Sequence, residues 1–419
     1  MDSGPANSLV FSFEEARRVV EVQAASLSPR GQEAVDLLQA AGRILAEQIT
    51  ADRDAPPFAR ATRDGYAVRA ADLQAVPGRL RVIGEIKAGL SALATGSVDS
   101  GETFSIMTGA PVPPGADAVV MVEYTSACDE FVDISKSTSI GENIVPRGAE
   151  AKCGALLLDR GTRLNEAAIA LAASVGKARV EVFARPRVAV LTTGDEIVPV
   201  DAQPGAAQIR NSNSYSLAVQ IRNAGGEPVL LPIAPDEPQR LRELIEQGLE
   251  SELLIMTGGV SMGRYDLVEK VLAELNAEFF FTGAKIQPGK PVVFGRVSHS
   301  KRSQAESARY FFGLPGNPVS TMVTFELFAR PMIEALAGMR PQPLMFLHSR
   351  AKSEIKVKTG LRRFLPAILS GKHEDTYVEL VPWQGSGDIA AQARANCYIV
   401  IPPDRDRIAA GEWVAVMPR

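Results

Sequence analysis

The chain has 419 residues, a formal net charge of −4, 46% hydrophobic residues and 22% charged residues. These values fit a globular protein of two to four domains and exclude a disordered chain or a nucleic-acid-binding surface spread over the whole molecule. Cys128, Cys153, Cys397 and the three histidines show neither a disulfide framework nor zinc-ligand spacing, and no run of about 20 apolar residues is present to span a bilayer. The N-terminus lacks the basic start and apolar core of a signal peptide, so the expected location is cytoplasmic, with no membrane and no nucleic-acid partner.

Ser12 followed by Glu15 is a capping-box pattern, and Phe13, Ala16, Val19 and Val20 mark one side of a first helix. Pro29 with Val35, Leu38, Ala41 and Leu45 at helical spacing predicts a second helix. From Asp52 to about Val145 short runs such as Arg79 to Ile86 and Ala118 to Glu123 alternate with glycine and proline, predicting a β-rich insertion. Asn165 then caps an alanine-rich helix that stops at Gly176. If the helices flanking the insertion pack together, the first domain is discontinuous, residues 1–50 and 146–182, around an insertion domain at 51–145.

Across residues 183–340 strands and helices alternate, which predicts a parallel sheet covered by helices. The strands are expected at Arg187 to Thr193, Glu227 to Ile233, Leu253 to Met256, Val292 to Val297 and Arg309 to Phe312, with one long closing helix from Pro318 to Leu336. Residues 341–419 are again strand-like and predict a small β-barrel or sandwich, with Trp383 and Trp413 as core or rim aromatics.

Ligands of open α/β sheets bind outside the carboxyl ends of the strands, so the loops after Thr193, Met256 and Phe312 carry the candidate chemistry. The second is Thr-Gly-Gly-Val-Ser-Met-Gly-Arg-Tyr-Asp, Thr257 to Asp266. Gly258 and Gly259 permit a sharp turn and close ligand approach, and a helix opening near Asp266 favours an anion. A carboxylate beside an anion makes sense where Mg²⁺ bridges it to phosphate oxygens, so this is a candidate nucleotide or pterin-phosphate site. The first loop holds Asp195 and Glu196 beside Gly194, and the third holds Pro315, Gly316, the N-cap candidate Asn317 and Pro318. Each motif also reads as plain turn chemistry or solvated charge; their shared position at one sheet edge favours a site.

Asp64-Gly65-Tyr66-Ala67, Ile106 to Pro111 with Thr108, Thr193-Gly194-Asp195-Glu196, Gly258-Gly259-Val260-Ser261, Pro288-Gly289-Lys290-Pro291 and Leu314 to Pro318 follow one another in an order that resembles the molybdopterin molybdenumtransferases, the MoeA and gephyrin E-domain family. The resemblance covers essentially the whole chain. It implies a multidomain α/β plus β fold: the discontinuous first domain, the β-rich insertion, a parallel-sheet molybdopterin-binding domain at 183–340 and a C-terminal β-barrel at 341–419. It also implies insertion of molybdate into adenylated molybdopterin, with Mg²⁺ and release of AMP.

Carried over by motif, Asp64, Thr108, Glu196 and Asp266 are the implied catalytic residues, and Asp195, Glu196 and Asp266 the implied metal ligands. Gly258, Gly259, Ser261, Lys290, Pro315, Gly316 and Asn317 would bind substrate. The resemblance further implies a homodimer with a composite cleft, and transient contact with a molybdopterin adenylyltransferase and with molybdoenzymes. Departures from the family pattern fall at Ala149-Glu150, where an acidic pair is common, at Gln287 and at Arg264. Two other readings stay open: a molybdopterin adenylyltransferase, which lacks the insertion and the C-terminal β domain, and a non-catalytic pterin-binding scaffold.

Overall fold

The computed structural model describes residues 9–89, 96–259, 267–298 and 308–419. Its centre is a six-stranded sheet in the order Glu227–Leu230, Arg187–Thr192, Leu253–Thr257, Ala308–Leu314, Val293–Ser298, Ala277–Phe281. The first four strands run parallel, as the alternation of strands and helices predicts, while Val293–Ser298 turns back antiparallel to Ala308–Leu314. Alternate residues feed the two faces. Val188, Val190, Leu253 and Ile255 pack with the helix Asn213–Asn223, whereas Ala189, Leu191, Leu254 and Met256 pack with Pro238–Gly248 and Leu267–Glu274. Apolar residues on both sides explain the unbroken hydrophobic run of each strand.

The first helix, Phe13–Ala25, has the expected capping box, with the Ser12 side chain accepting from the Glu15 backbone and the Glu15 carboxylate returning to Ser12. Its apolar stripe does not meet the helix Glu166–Ser174. Phe13, Ala16, Val20 and Ala24 instead enter the core on one face of the α/β sheet.

The second predicted helix is absent. Gln32–Asp36 is a strand antiparallel to Arg179–Phe183, followed by a 3₁₀ turn at Leu37–Ala40. Leu38, counted there as part of an apolar face, is 86% exposed, so strand pairing overrides the local periodicity. Residues from both sides of the insertion, among them Val35, Leu45, Ile49, Ala168, Ala172 and Val182, share one small core.

The β-rich stretch forms a six-stranded sheet in which Gly65–Val68 lies between Ala118–Met121 and Glu102–Ile106. Gly65 is needed there, because a Cβ would lie 1.8 Å from the Val120 carbonyl oxygen. At the C-terminus Arg362–Lys372, Asp375–Leu380, Leu347–Ala351, Trp413–Pro418 and Cys397–Ile401 close into a barrel, since the first strand also pairs with the last. Trp383 packs against this core, and Trp413 lies on the rim under the Arg350 guanidinium at 5.1 Å.

The closing helix is broken into Pro318–Thr324, a π turn at Phe325–Ala329 and Arg330–Leu336. Among the described residues no helix is long and apolar enough to cross a membrane.

Candidate functional site

Three loops at the carboxyl ends of Arg187–Thr192, Leu253–Thr257 and Ala308–Leu314 enclose a cleft of about 400 Å³, lined by Thr193, Glu196, Asn213, Gly259, Gly316 and Asn317 among others. Gly258 and Gly259 turn with φ of +90° and +61°, and a Cβ on Gly258 would stand 2.4 Å from the Thr193 carbonyl oxygen. The glycines therefore let two strand-end loops touch.

The loops are tied by buried hydrogen bonds. Asn213 Nδ2 donates to Thr257 Oγ1 at 2.9 Å and to the Gly316 carbonyl at 2.8 Å, and Thr257 Oγ1 donates to the Pro315 carbonyl at 3.2 Å. With its Nδ2 fixed on the Gly316 carbonyl, Asn213 leaves its Oδ1 without a partner among the described residues, and the same holds for Thr193 Oγ1. Buried polar groups are normally satisfied, so two orphaned oxygens on one cleft mark a place where polar partners belong.

The cleft gathers Glu196, Gly258, Gly259, Pro315, Gly316 and Asn317. Asn317 occupies the N-cap position but makes no side-chain capping bond, so the predicted capping role fails and its amide is not spent on the helix. Asp195 lies elsewhere. It lines an adjoining apolar cavity of about 590 Å³ with Tyr215 and Val200, and its Oδ1 accepts the Asp236 N–H at 3.1 Å. Adjacent carboxylates thus serve different cavities, and both are exposed. Ser261 and Asp266 lie outside the described residues.

Asp236 and Asn213 were not expected from the sequence. Desolvation of the Asp236 carboxyl, reinforced by the charges of Asp195 and Glu196, pushes it above the ordinary carboxylate range. The signal was available, because Asp236 follows the strand Glu227–Leu230 at the same sheet edge. Asn213 opens the helix Asn213–Asn223, and only the fold shows it spanning two loops.

Lys290 is exposed, and only its neighbour Pro291 lines the cleft. Gln287 pairs in register with Arg363, so backbone pairing joins the Pro-Gly-Lys loop to a second cation. Arg363 is 8% exposed, its Nε has no partner among the described residues, and burial pushes its pKa down from the usual guanidinium range. Glu150 is a surface residue paired with Arg60 at 2.9 Å.

Asp64 and Thr108 stand together at the ends of two paired strands of the insertion sheet, and neither lines the cleft. The Thr108 backbone N–H and hydroxyl both donate to Asp64 Oδ1, at 2.7 and 2.8 Å, and hold its carboxyl below the ordinary range. A lowered folded-state pKa stabilises the fold above the unfolded value, and that contribution is lost as pH falls through the folded value. Thr108→Val should therefore be less stable than the parent at neutral pH, with the gap closing as pH falls below the ordinary aspartate value of 3.8 and through the lowered folded value. Urea unfolding across that window checks this, and a constant gap contradicts it.

The sequence matches three family models along its length. Residues 11–176 match the MoeA N-terminal region (domain I and II), residues 189–335 the probable molybdopterin binding domain, and residues 348–418 the MoeA C-terminal region (domain IV). The molybdopterin molybdenumtransferase of Nostoc sp. is 34% identical, covering 93% of this chain and 89% of its own. The chain belongs to the molybdopterin molybdenumtransferase family. The Haemophilus influenzae relative is 33% identical over 93% of this chain and 94% of its own. A solved MoeA protein of Pyrococcus horikoshii superposes with a TM-score of 0.71 at 34% identity, covering 98% of this chain and 99% of that one. A second structure from that organism gives 0.78 at 27% identity, covering 98% of this chain and 100% of that one. The family thus carries the α/β unit and the C-terminal barrel described above.

Proposed function

We propose that the chain inserts molybdate into adenylated molybdopterin, releases AMP and so forms the molybdenum cofactor. The observation that carries this is the cleft itself: among the described residues, a tight Gly-Gly turn, one carboxylate and two unpartnered oxygens at the ends of parallel strands, in a chain of this family.

The cleft suits a polar, multi-part ligand. Asn213 Oδ1 accepts a hydrogen bond, the Thr193 hydroxyl gives or accepts one, and the Asn317 amide is free of the helix. Lys290 and Arg363, on paired segments next to Pro291, supply positive charge for a molybdate dianion or a phosphate.

Among the described residues no three His, Cys, Asp or Glu side chains converge as a metal cage. Magnesium is usually held by one or two carboxylates plus substrate phosphates, and Glu196 with its neighbouring oxygen donors fits that mode. Glu196 would hold the ion, joined by Asp266 on the strength of the family motif. When bound, Mg²⁺ would neutralise phosphate charge.

Asp64 and Thr108 enter the reading through a homodimer, in which the insertion of one subunit covers the cleft of its partner. Mixing Asp64→Ala with Asp266→Ala should restore about half the activity in mixed dimers, because one of two composite clefts is intact. Heterodimers that stay inactive contradict the composite site. We further infer a cytoplasmic enzyme that receives its substrate from a molybdopterin adenylyltransferase and passes its product to molybdoenzymes.

The rival activity is adenylation of molybdopterin by ATP. Purified protein should form no adenylated pterin from ATP, Mg²⁺ and molybdopterin, yet release AMP from the adenylated substrate when molybdate is present. Adenylation from ATP without molybdate transfer overturns the proposal.

A further inference from the structure

The closing helix carries a buried stripe at Val319, Val323, Phe328, Met332 and Leu336. Its steps are four, five, four and four residues, and the step of five falls across the π turn Phe325–Ala329. A residue added to one turn shifts the helix by about 100° and 1.5 Å, and the π turn itself enters the same core as both halves through Phe325, Leu327, Phe328 and Ala329. Pro331 stands just beyond this turn and has no N–H to give the carbonyl of Leu327, four residues back. The missing donor comes from another helix: Arg17 Nη1, from Phe13–Ala25, donates to the Leu327 carbonyl at 2.7 Å. Arg17 is 7% exposed, and its Nε pairs with Glu21 at 2.7 Å, so the buried guanidinium is fixed between the Glu21 carboxylate and this carbonyl.

Pro318, the first residue of the same helix, lines the cleft, and the hydrogen bonds of its first turns anchor the wall that Pro315 to Asn317 form. Thr321 N–H donates to the Asn317 carbonyl at 3.0 Å, the Thr321 hydroxyl donates to the Pro315 carbonyl, and Asn213 donates to Gly316. Gln220 Nε2 binds the Met322 carbonyl and Glu326 on the way to the π turn. We propose that Arg17 is a positioning residue for substrate binding: by standing in for the N–H that Pro331 lacks, it locks the π turn and so fixes the phase at which Pro315-Gly316-Asn317 meets the ligand. The inference rests on the transferase reading for the identity of that ligand.

The test is a four-protein cycle of parent, Arg17→Met, Pro331→Ala and the double variant, measured for both molybdate transfer and thermal unfolding. Arg17→Met should raise KM for adenylated molybdopterin ~10-fold, with kcat within about twofold, because the wall is displaced while the reacting groups remain. Pro331→Ala restores the backbone donor. It should therefore return KM of the double variant to within about threefold of the parent, and Arg17→Lys should rescue in part.

A double variant as impaired as Arg17→Met, or an unchanged KM in folded Arg17→Met, overturns the proposal. If Arg17→Met does not fold, recovery of folded protein on adding Pro331→Ala supports it and failure to recover overturns it. A parent protein without any molybdate transfer overturns the transferase reading instead, and the unfolding cycle still reports the coupling of Arg17 to Pro331.

Discussion

Gly258→Ala should abolish turnover, with a fall of ~100-fold or more, and should also lower the unfolding temperature. The backbone there has φ of +90°, and the new Cβ would stand 2.4 Å from the Thr193 carbonyl oxygen and 3.0 Å from Thr193 Oγ1. A side chain forced into such a conformation costs of order 1–3 kcal/mol, and relief requires the Gly-Gly turn to pull away from the Thr193 loop. That movement opens the floor of the cleft. Gly316→Ala is the matched control. Its Cβ meets Gly258 Cα at 3.5 Å, an ordinary contact, so the variant should keep its stability and show only a raised KM. Equal stability and equal turnover in both variants would show that the glycine turn does not shape the site.

Glu196→Ala should reduce kcat by about 100-fold, whereas Asp195→Ala should cost tenfold or less. The two residues are neighbours, but only Glu196 lines the cleft; Asp195 faces the adjoining cavity and accepts the Asp236 N–H. If Glu196 holds magnesium with substrate phosphates, Glu196→Ala should also shift the magnesium dependence of the rate to higher concentration, and Asp195→Ala should not. The steady-state rate titrated with magnesium separates the cases. A larger loss at Asp195 would reverse the assignment of the two carboxylates.

Local signals with a direct physical cause were the legible ones. Ser12 and Glu15 form the capping box because both groups lie within one turn, and the strands at Arg187, Leu253 and Ala308 form because apolar residues alternate onto two covered faces. The grouping of Glu196, Gly258, Gly259 and Pro315 to Asn317 follows from the rule that parallel strands deliver their loops to one edge.

The rest depends on contacts distant in sequence. Val35, Leu38 and Leu45 mimic a helix face, but pairing with Arg179–Phe183 decides the segment. Asn213 becomes a cleft residue only when Thr257 and Gly316 arrive beside it. Asp64 and Thr108 form a local pair that the single chain leaves outside the cleft, so their role rests on the proposed homodimer. The π turn leaves no distinct mark in an apolar run that also offers Leu327 at the ordinary four-residue step from Val323, and its donor, Arg17, lies at the other end of the chain.

The most direct test of the central claim is a reconstitution with purified protein, adenylated molybdopterin, Mg²⁺ and molybdate, counting AMP released against molybdenum bound to the pterin. The account predicts equal amounts of the two, both dependent on molybdate and both lost in Glu196→Ala and Gly258→Ala. AMP release that proceeds without molybdenum insertion, or insertion that survives both substitutions, would contradict it.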